Sequence, residues 1–329
     1  MDPITSQRSG IHLRAVGSFH VGGQRRILEN LQPQEIRLAV GGPARTIDPN
    51  GSCIAGQMYV QFFLQQNPVC PWPLVLMHGG GMTGANWETT PDGRPGWLQQ
   101  LLEKGWDVYV CDAVERGRAG WSRWPEIYQQ APLHRTMEEG WDMFRIGPPV
   151  DRYAEGLPVH PGQQFPAKNF EAFAQQWVPR WADHEAITLQ AYAALIQKIG
   201  QCGLIAHSQG GGFALTLAAN YPELLKAVVA IEPSGAPRLA PVAADPPHYM
   251  VVWGDYIQAH PIWSKYRQQV DQHVQELSKH GVEVMTLNLP SVGMTGNSHF
   301  PMLDLNSDLV LDHILSWLNP KTLSTQRST

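Results

Sequence analysis

The sequence lacks the features that mark nucleic-acid-binding or membrane-spanning proteins. Only 16% of its 329 residues are charged, the formal net charge is -5, and no run clusters Lys and Arg, which argues against binding to nucleic acid or an anionic membrane surface. No stretch approaches the ~20 apolar residues that a transmembrane helix needs. No His-Glu-x-x-His or other metal-ligand spacing occurs, so no metal site is expected. A small neutral or weakly polar substrate fits this composition best.

Cysteine is also scarce. Of the four cysteines, Cys53 and Cys70 flank the strand-like run Met58–Leu64, and we predict that a disulfide joins them. Four reduced, buried thiols are the alternative. The start, Met1–Gly10, has no apolar signal-peptide core. A disulfide would therefore indicate an exported mature form whose leader was removed, and reduced thiols would leave the cytoplasm as the expected compartment.

The pattern of apolar runs predicts an α/β fold. Residues 12–64 are typical of antiparallel strands, with turn signals at Gly22-Gly23, Gly41-Gly42-Pro43 and Asn50-Gly51. Short apolar strands then alternate with helical segments, which indicates a mostly parallel twisted sheet with helices on both faces. The predicted strands are Pro73–Met77, Asp107–Asp112, Gly203–His207, Ala227–Ile231, Tyr249–Trp253 and Val282–Leu289. The predicted helices are Trp97–Lys104, Glu185–Ile199, Gly211–Asn220, Trp263–His280 and Asp308–Leu318.

One interval is too long for an ordinary connection. Between Asp112 and Glu185 the chain spends about 70 residues where crossovers need far fewer, so we predict an insertion. Residues 1–121 and 185–329 would form the α/β core, and residues 122–184 a lid over the carboxyl ends of the strands. A long ordered surface loop is the alternative. The tryptophans of this region suggest an apolar substrate group, although Trp fills cores just as readily; they are Trp121, Trp124, Trp141, Trp177 and Trp181.

The segment Gly203–Gly212 reads strand, serine and then a glycine-rich helix start. It resembles the nucleophile elbow, in which a strained turn lifts a serine Oγ above the sheet, and it indicates Ser208 as a nucleophile. Ala206 stands where the pattern usually has its first glycine. A serine that merely caps a helix would explain Ser208 but not the three glycines that follow Gln209.

The run His78-Gly79-Gly80-Gly81 follows an early predicted strand. It is similar to the oxyanion loop of lipases and esterases, whose backbone N–H groups bind the negative oxygen of a tetrahedral intermediate. The N–H of Gln209 would be one donor, and that of Gly79 or Gly80 the other. Residues 79–84 also spell the dinucleotide-binding pattern Gly-x-Gly-x-x-Gly, but breakers follow the glycines where that motif needs a helix.

The general base should lie between the last strand and the last helix, where His299 stands. His207 and His78 are expected to be structural. The acid commonly follows the strand that ends at Trp253, but an apolar Ile257 occupies its usual position. Glu232, which directly follows an apolar strand, is therefore the predicted acid, with Asp255 as the alternative. The chain order Ser208, Glu232, His299 is nucleophile, acid and base.

Together these motifs resemble the serine esterases and lipases of the α/β-hydrolase fold, across residues 57–118 and 185–318, and most closely bacterial esterases of the Alcaligenes type. The resemblance implies that Ser208 attacks a carboxylic ester and is acylated. It further implies that His299 transfers the proton and that Glu232 orients the His299 ring. It implies no cofactor and a small-molecule ester as partner, and leaves the oligomeric state open. A peptidase, amidase or acyltransferase with the same triad is the enzymatic alternative, and a non-catalytic ligand-binding protein the other.

Overall fold

An eight-stranded sheet forms the centre of the chain, in a computed structural model that describes residues 10–238 and 242–319. The strand order is β1-β4-β6-β5-β7-β8-β9-β10, and a separate two-stranded sheet pairs β2 with β3. The bounds are β1 Leu13–Leu28, β2 Gln34–Ile36, β3 Arg45–Ile47, β4 Gly51–Gln65, β5 Leu74–Met77, β6 Val108–Asp112, β7 Cys202–His207, β8 Leu225–Ile231, β9 His248–Trp253 and β10 Val284–Asn288.

The sheet is parallel from β6 to β10 and antiparallel only at its first edge, where β4 pairs with β1 and β6. This confirms the predicted mixed sheet. The central strands are buried on both faces, so successive side chains enter opposite cores. In β5, Leu74 and Leu76 join one apolar cluster, whereas Val75 and Met77 join the other.

Helices cover both faces, as predicted. Helices α1 and α7 pack in the cluster that contains Leu76, and α4 and α5 in the cluster that contains Met77. The bounds are α1 Trp97–Glu103, α2 Met137–Met143, α3 Phe170–Ala174, α4 Glu185–Ile199, α5 Gln209–Asn220, α6 Pro261–Lys279 and α7 Ser307–Leu318. No helix within residues 10–238 and 242–319 is both long and apolar enough to cross a bilayer. Residues 1–9, which include most of the segment examined for a signal peptide, lie outside the described part.

The turn predicted at Gly22-Gly23 is wrong. Both glycines lie inside β1, which pairs with β4 from Leu13 opposite Gln65 to Leu28 opposite Gly51. Their φ angles of 71° and 80° are left-handed, and Gly56 on the facing strand has a φ of 82°. Glycine adopts this conformation without a Cβ clash, so here it bends a continuous ribbon instead of reversing the chain.

The predicted disulfide is also wrong, because all four cysteines are free. The expected short strand Met58–Leu64 is part of the 15-residue β4, which begins two residues before Cys53 and ends at Gln65. A strand advances about 3.3 Å per residue, so the 12 residues from Cys53 to Gln65 span roughly 40 Å and hold Cys53 far from Cys70. A disulfide requires Cα atoms within about 7 Å of each other. The cysteines therefore give no support to export.

Candidate active site

Ser208 sits at the junction between β7 and α5. It has a φ of 54° and a ψ of -117°, which is a strained conformation for a residue with a side chain. Its backbone is held on two sides, because Ser208 N–H donates to Ile231 O at 2.9 Å and its carbonyl accepts from Ser234 N–H at 3.1 Å. The sharp turn directs the chain from the sheet into the helix and leaves Ser208 at the carboxyl edge of the strands.

The glycines after Ser208 allow α5 to approach the sheet closely. A Cβ on Gly210 would lie 2.6 Å from His78 O and 2.8 Å from Met77 O. A Cβ on Gly211 would lie 2.9 Å from Pro233 Cβ. Side chains at either position would push the helix away from β5 and from the segment after β8, so these glycines are needed for the elbow and not for capping alone.

His299 and Glu232 meet beside this elbow. His299 Nδ1 lies 3.1 Å from Glu232 Oε2, and the two side chains are 2% and 0% exposed. Glu232 follows β8 directly, and its φ of 48° turns its backbone into the left-handed region. The His299 ring lies between aromatic rings, with its centroid 4.0 Å from that of Trp263 and 5.8 Å from that of Phe144.

The structure does not bring Asp255, the alternative acid, to His299. Asp255 Oδ2 instead accepts from Gly296 N–H at 3.0 Å, and Asp255 N–H donates to Asn297 O at 2.9 Å. Asp304 fixes the same loop from the other side, because Oδ2 accepts from Ser298 N–H at 2.8 Å. These two carboxylates hold the loop that carries His299.

An arginine that sequence reasoning missed binds the candidate acid. Arg145 Nη2 donates to Glu232 Oε1 at 2.7 Å, and both side chains are almost fully buried. Gly254 N–H donates to the same oxygen at 2.6 Å, and Arg145 Nε donates to Asp255 O at 2.8 Å. Arg145 belongs to the 122–184 segment, 87 residues before Glu232 in the chain. No local pattern marks such a distant pair.

The other two histidines of the motifs tie loops together. His207 Nε2 lies 2.8 Å from His299 O, which joins the nucleophile strand to the base loop. His78 Nε2 accepts from Ala113 N–H at 3.0 Å, so its Nδ1 carries the proton that is donated to Gly79 O at 2.8 Å. Burial lowers the pKa of His78 to about 4 and that of His207 well below the usual range, so both rings are neutral near pH 7.

Ser208 and His299 line one small cavity of about 80 Å³. The core also contributes Gly79, Gly80 and Gln209, which are the candidate oxyanion donors. The 122–184 segment contributes Arg135, Met143, Phe144 and Arg180. None of the five tryptophans of the inserted region and its edge lines the cavity; Trp141 and Trp181 are 2% exposed and buried in the protein interior. Trp121 and Trp124 are about half exposed, so packing accounts for only some of the five.

Burial is the main reason why the pKa of His299 lies well below its ordinary 6.5. The positive charges of Arg145 and Arg135 lower it further. A buried carboxylate partner would normally raise a histidine pKa, but Arg145 neutralises Glu232. His299 is therefore a neutral base over a wide pH range.

The alternative dinucleotide site lacks its helix. After the glycines the chain forms only the four-residue 3₁₀ turn Gly84–Trp87, and α1 begins at Trp97. Dinucleotide binding by this motif needs the N-terminus of a helix directly at the glycines.

A strained serine after a central parallel strand, with a buried histidine and carboxylate on the following loops, is the arrangement of one large fold family. The family model described as "alpha/beta hydrolase fold" matches residues 73–259, more than half of the chain. The chain belongs to the α/β-hydrolase family.

Two relatives illustrate this α/β-hydrolase membership. A solved structure described as a novel bacterial esterase is 29% identical and superposes with a TM-score of 0.81 over 95% of this chain and 98% of that one. A protein called "Probable secreted lipase phiG", from Fungal sp. (strain ATCC 74256), is 32% identical in a 203-position alignment that covers 55% of this chain and 50% of that protein. The chain thus matches about half the length of this curated relative.

Proposed function

We propose that the protein is a serine carboxylic-ester hydrolase in which Ser208, His299 and Glu232 form the catalytic triad. In this mechanism His299 Nε2 takes the proton from Ser208 Oγ as the oxygen attacks the ester carbonyl. The same nitrogen returns the proton to the leaving alcohol, and water then hydrolyses the acyl-enzyme by the reverse sequence. No step requires a cofactor.

The observation that carries this proposal is the 3.1 Å contact between His299 Nδ1 and Glu232 Oε2 in the cavity wall beside Ser208. A carboxylate at Nδ1 keeps the proton on that nitrogen and leaves Nε2 free to accept one. The likeness to a bacterial esterase along almost the whole chain favours an ester as substrate over an amide.

We further propose that the N–H groups of Gln209 and Gly80 form the oxyanion hole. Gln209 is the first residue of α5, so its N–H has no acceptor within the helix. The proton on His78 Nδ1 holds the carbonyl of Gly79, and a planar trans peptide directs the next N–H the opposite way. That N–H belongs to Gly80, which lines the cavity. This geometry favours Gly80 over Gly79 as the second donor.

Residues 122–184 act, in this proposal, as a cap on a core formed by residues 1–121 and 185–329. Four residues of the segment line the cavity, and Phe144 O accepts from His299 N–H at 3.0 Å. The cap therefore selects the substrate through these contacts and also supports the base.

Replacing Ser208 by Ala tests the proposal directly. We expect kcat on a short-chain 4-nitrophenyl ester to fall by roughly 10³ to 10⁶, with an unchanged far-ultraviolet circular dichroism spectrum. A fluorophosphonate probe should label wild-type protein once, at Ser208, and leave the variant unlabelled. Ester turnover near the wild-type rate in the variant would refute the assignment.

A further inference from the structure

Two guanidinium groups line the cavity of Ser208, whereas none of its lining residues among the described part of the chain is Asp or Glu. They belong to Arg135 and Arg180, both in the 122–184 segment. The remaining walls are glycine, apolar, tyrosine, histidine, serine and glutamine residues. The immediate surroundings of the candidate nucleophile therefore carry positive charge, which the composition of the chain does not suggest.

Arg180 lies against the oxyanion-hole candidates. A Cβ on Gly80 would collide with Arg180 Nη1 and would lie 3.2 Å from Gln209 Oε1, so the glycine makes room for the guanidinium. The ion pairs found within residues 10–238 and 242–319 include none with Arg180. Glu185 also lies near this wall, where its Oε1 accepts from Gln209 Nε2 at 3.3 Å, and it forms no ion pair with Arg180 among the described residues.

Arg135 reaches the cavity from another side. Its guanidinium lies 4.9 Å from the centre of the Phe144 ring, which stacks on His299, and its Nη1 donates to the half-exposed Glu139 at 2.6 Å. Burial is the main cause that lowers the pKa of Arg135, Glu139 raises that pKa, and the charge of Arg180 makes a smaller contribution that lowers it. The two positive guanidinium groups therefore repel each other across the cavity.

The neighbouring buried acids do not balance this charge. Glu232 is bound by Arg145, and Glu115 by Arg116 and His184. Arg180 has no ion-pair partner in the described part of the chain, so an anionic ligand could form a charge-assisted pair with it. A guanidinium binds a carboxylate through two parallel N–H bonds, which gives both affinity and orientation.

We propose that the cavity takes a short ester that carries a carboxylate within a few bonds of its scissile carbonyl, bound by Arg180 and Arg135. This rests on the proposed ester hydrolysis and names its substrate class. A cavity of about 80 Å³ is far smaller than the ~300–1,000 Å³ of sites for drug-sized ligands, so a short chain fits better than a fatty acyl chain. The inference replaces the neutral substrate expected from composition.

Matched esters of equal shape provide the test. In the first pair the acyl group carries the charge: 4-nitrophenyl hydrogen succinate is compared with 4-nitrophenyl 4-methylpentanoate. In the second pair the alcohol carries it: the acetyl ester of glycolate is compared with isobutyl acetate. We expect kcat/KM to favour the anion by about 10-fold to 100-fold in one pair, since hydrogen bonds to charged groups are the strong ones. The pair that shows the preference identifies whether the acyl part or the alcohol part of the ester contacts the arginines.

Variants assign the preference to the residues. Arg180→Gln should bring the anion-to-neutral ratio close to one, and Arg135→Gln should lower it less, because Glu139 already offsets part of its charge. Arg123→Gln is the matched control, since Arg123 belongs to the same segment but pairs with Glu126 and does not line the cavity. It should keep the wild-type ratio.

A measurement on wild-type protein alone guards against misfolded variants. Succinate should inhibit hydrolysis of the neutral ester competitively, and the neutral isostere succinamide should not. Hydrolysis of neutral esters with no anion preference in either pair, and equal inhibition by both compounds, would overturn this inference and leave the proposed function intact. Absence of hydrolysis of all four esters, together with no fluorophosphonate labelling of Ser208, would instead overturn the proposed function.

Discussion

Two buried glutamates of this protein have nearly the same surroundings. Glu232 contacts Arg145 and His299 Nδ1, and Glu115 contacts Arg116 and His184 Nδ1. Both follow strands of the sheet and both have positive φ angles, 48° and 64°. Each also accepts a backbone N–H, from Gly254 and Trp181 respectively.

The two clusters differ in what lies beyond the histidine. His299 faces a cavity that contains Ser208 and the oxyanion candidates. His184 stacks on Trp181 with an interplanar angle of 9°, and the described residues that line the groove beside it include no Ser, Thr or Cys. A carboxylate–imidazole pair is therefore insufficient to indicate catalysis, because the same groups here also anchor one end of the 122–184 segment to the core.

Of the substitutions that test this comparison, Glu232→Gln should lower kcat the most. Arg145 attracts the amide oxygen of the new side chain, so the amide N–H₂ faces His299 Nδ1, where an acceptor is needed. The imidazole then has the wrong tautomer, and we expect kcat to fall by about 10⁴, as in comparable triads. Steady-state hydrolysis of a 4-nitrophenyl ester measures it.

Asp255→Asn is the matched control for that change, since Asp255 holds the same loop without touching His299. We expect it to cost far less than Glu232→Gln. If Asp255→Asn abolished activity and Glu232→Gln kept it, Asp255 would be the acid and the comparison of the two glutamates would fail.

Glu115→Gln should affect stability rather than chemistry. It removes the counter-charge of Arg116, whose side chain is 5% exposed, and breaking a buried pair in this way costs about 3 to 5 kcal/mol. Thermal unfolding should therefore begin well below the wild-type temperature, while kcat at 25 °C should fall far less than the about 10⁴-fold expected for Glu232→Gln. A loss of kcat as large as that of Glu232→Gln in a variant of wild-type stability would show that both clusters serve catalysis.

The smallest expected effect is a shift in the pH dependence of kcat/KM. In the proposed mechanism the neutral form of His299 is the active base, so kcat/KM should rise with pH as His299 loses its proton, and the lowered pKa places this limb well below pH 6.5. Arg145→Gln breaks a buried ion pair and should lower stability as Glu115→Gln does, but its effect on catalysis is the removal of a positive charge that opposes protonation of His299. The pKa of His299 then rises, and the limb moves to higher pH by about one unit. Arg145→Lys keeps the positive charge and should move the rising limb of the pH profile less. A limb that stays fixed in both variants would mean that Arg145 does not influence His299.

The sequence predicts most of the sheet, because its central strands are short apolar runs between clear breaks. The predicted strand Tyr249–Trp253 corresponds to β9, and the predicted helix Glu185–Ile199 to α4. The motifs likewise indicate Ser208, Glu232 and His299, which the structure brings to one edge of the sheet. Local patterns point to these three positions, since each follows a strand or a turn, and their catalytic roles stay a prediction.

Features that depend on distant partners could not be predicted in the same way. Left-handed glycines suit a turn or a bulge equally well, and the pairing with β4 decides that Gly22-Gly23 is inside a strand. The length of that pairing also separates Cys53 from Cys70. Arg145 and Arg180 have no sequence pattern around them, and their importance appears only when the 122–184 segment is seen against the cavity.

The contacts that Phe144 and Arg145 make with the rest of the site limit how the 122–184 segment can be exchanged. Phe144 O accepts the backbone N–H of His299, and Arg145 supplies the counter-charge of Glu232. Surface loops on a rigid scaffold generally tolerate insertion and exchange. In the proposed mechanism, however, a chimera with a foreign segment in place of residues 122–184 would lose both the hydrogen bond to His299 N–H and the counter-charge of Glu232. A working graft would then have to carry Phe144 and Arg145 with it.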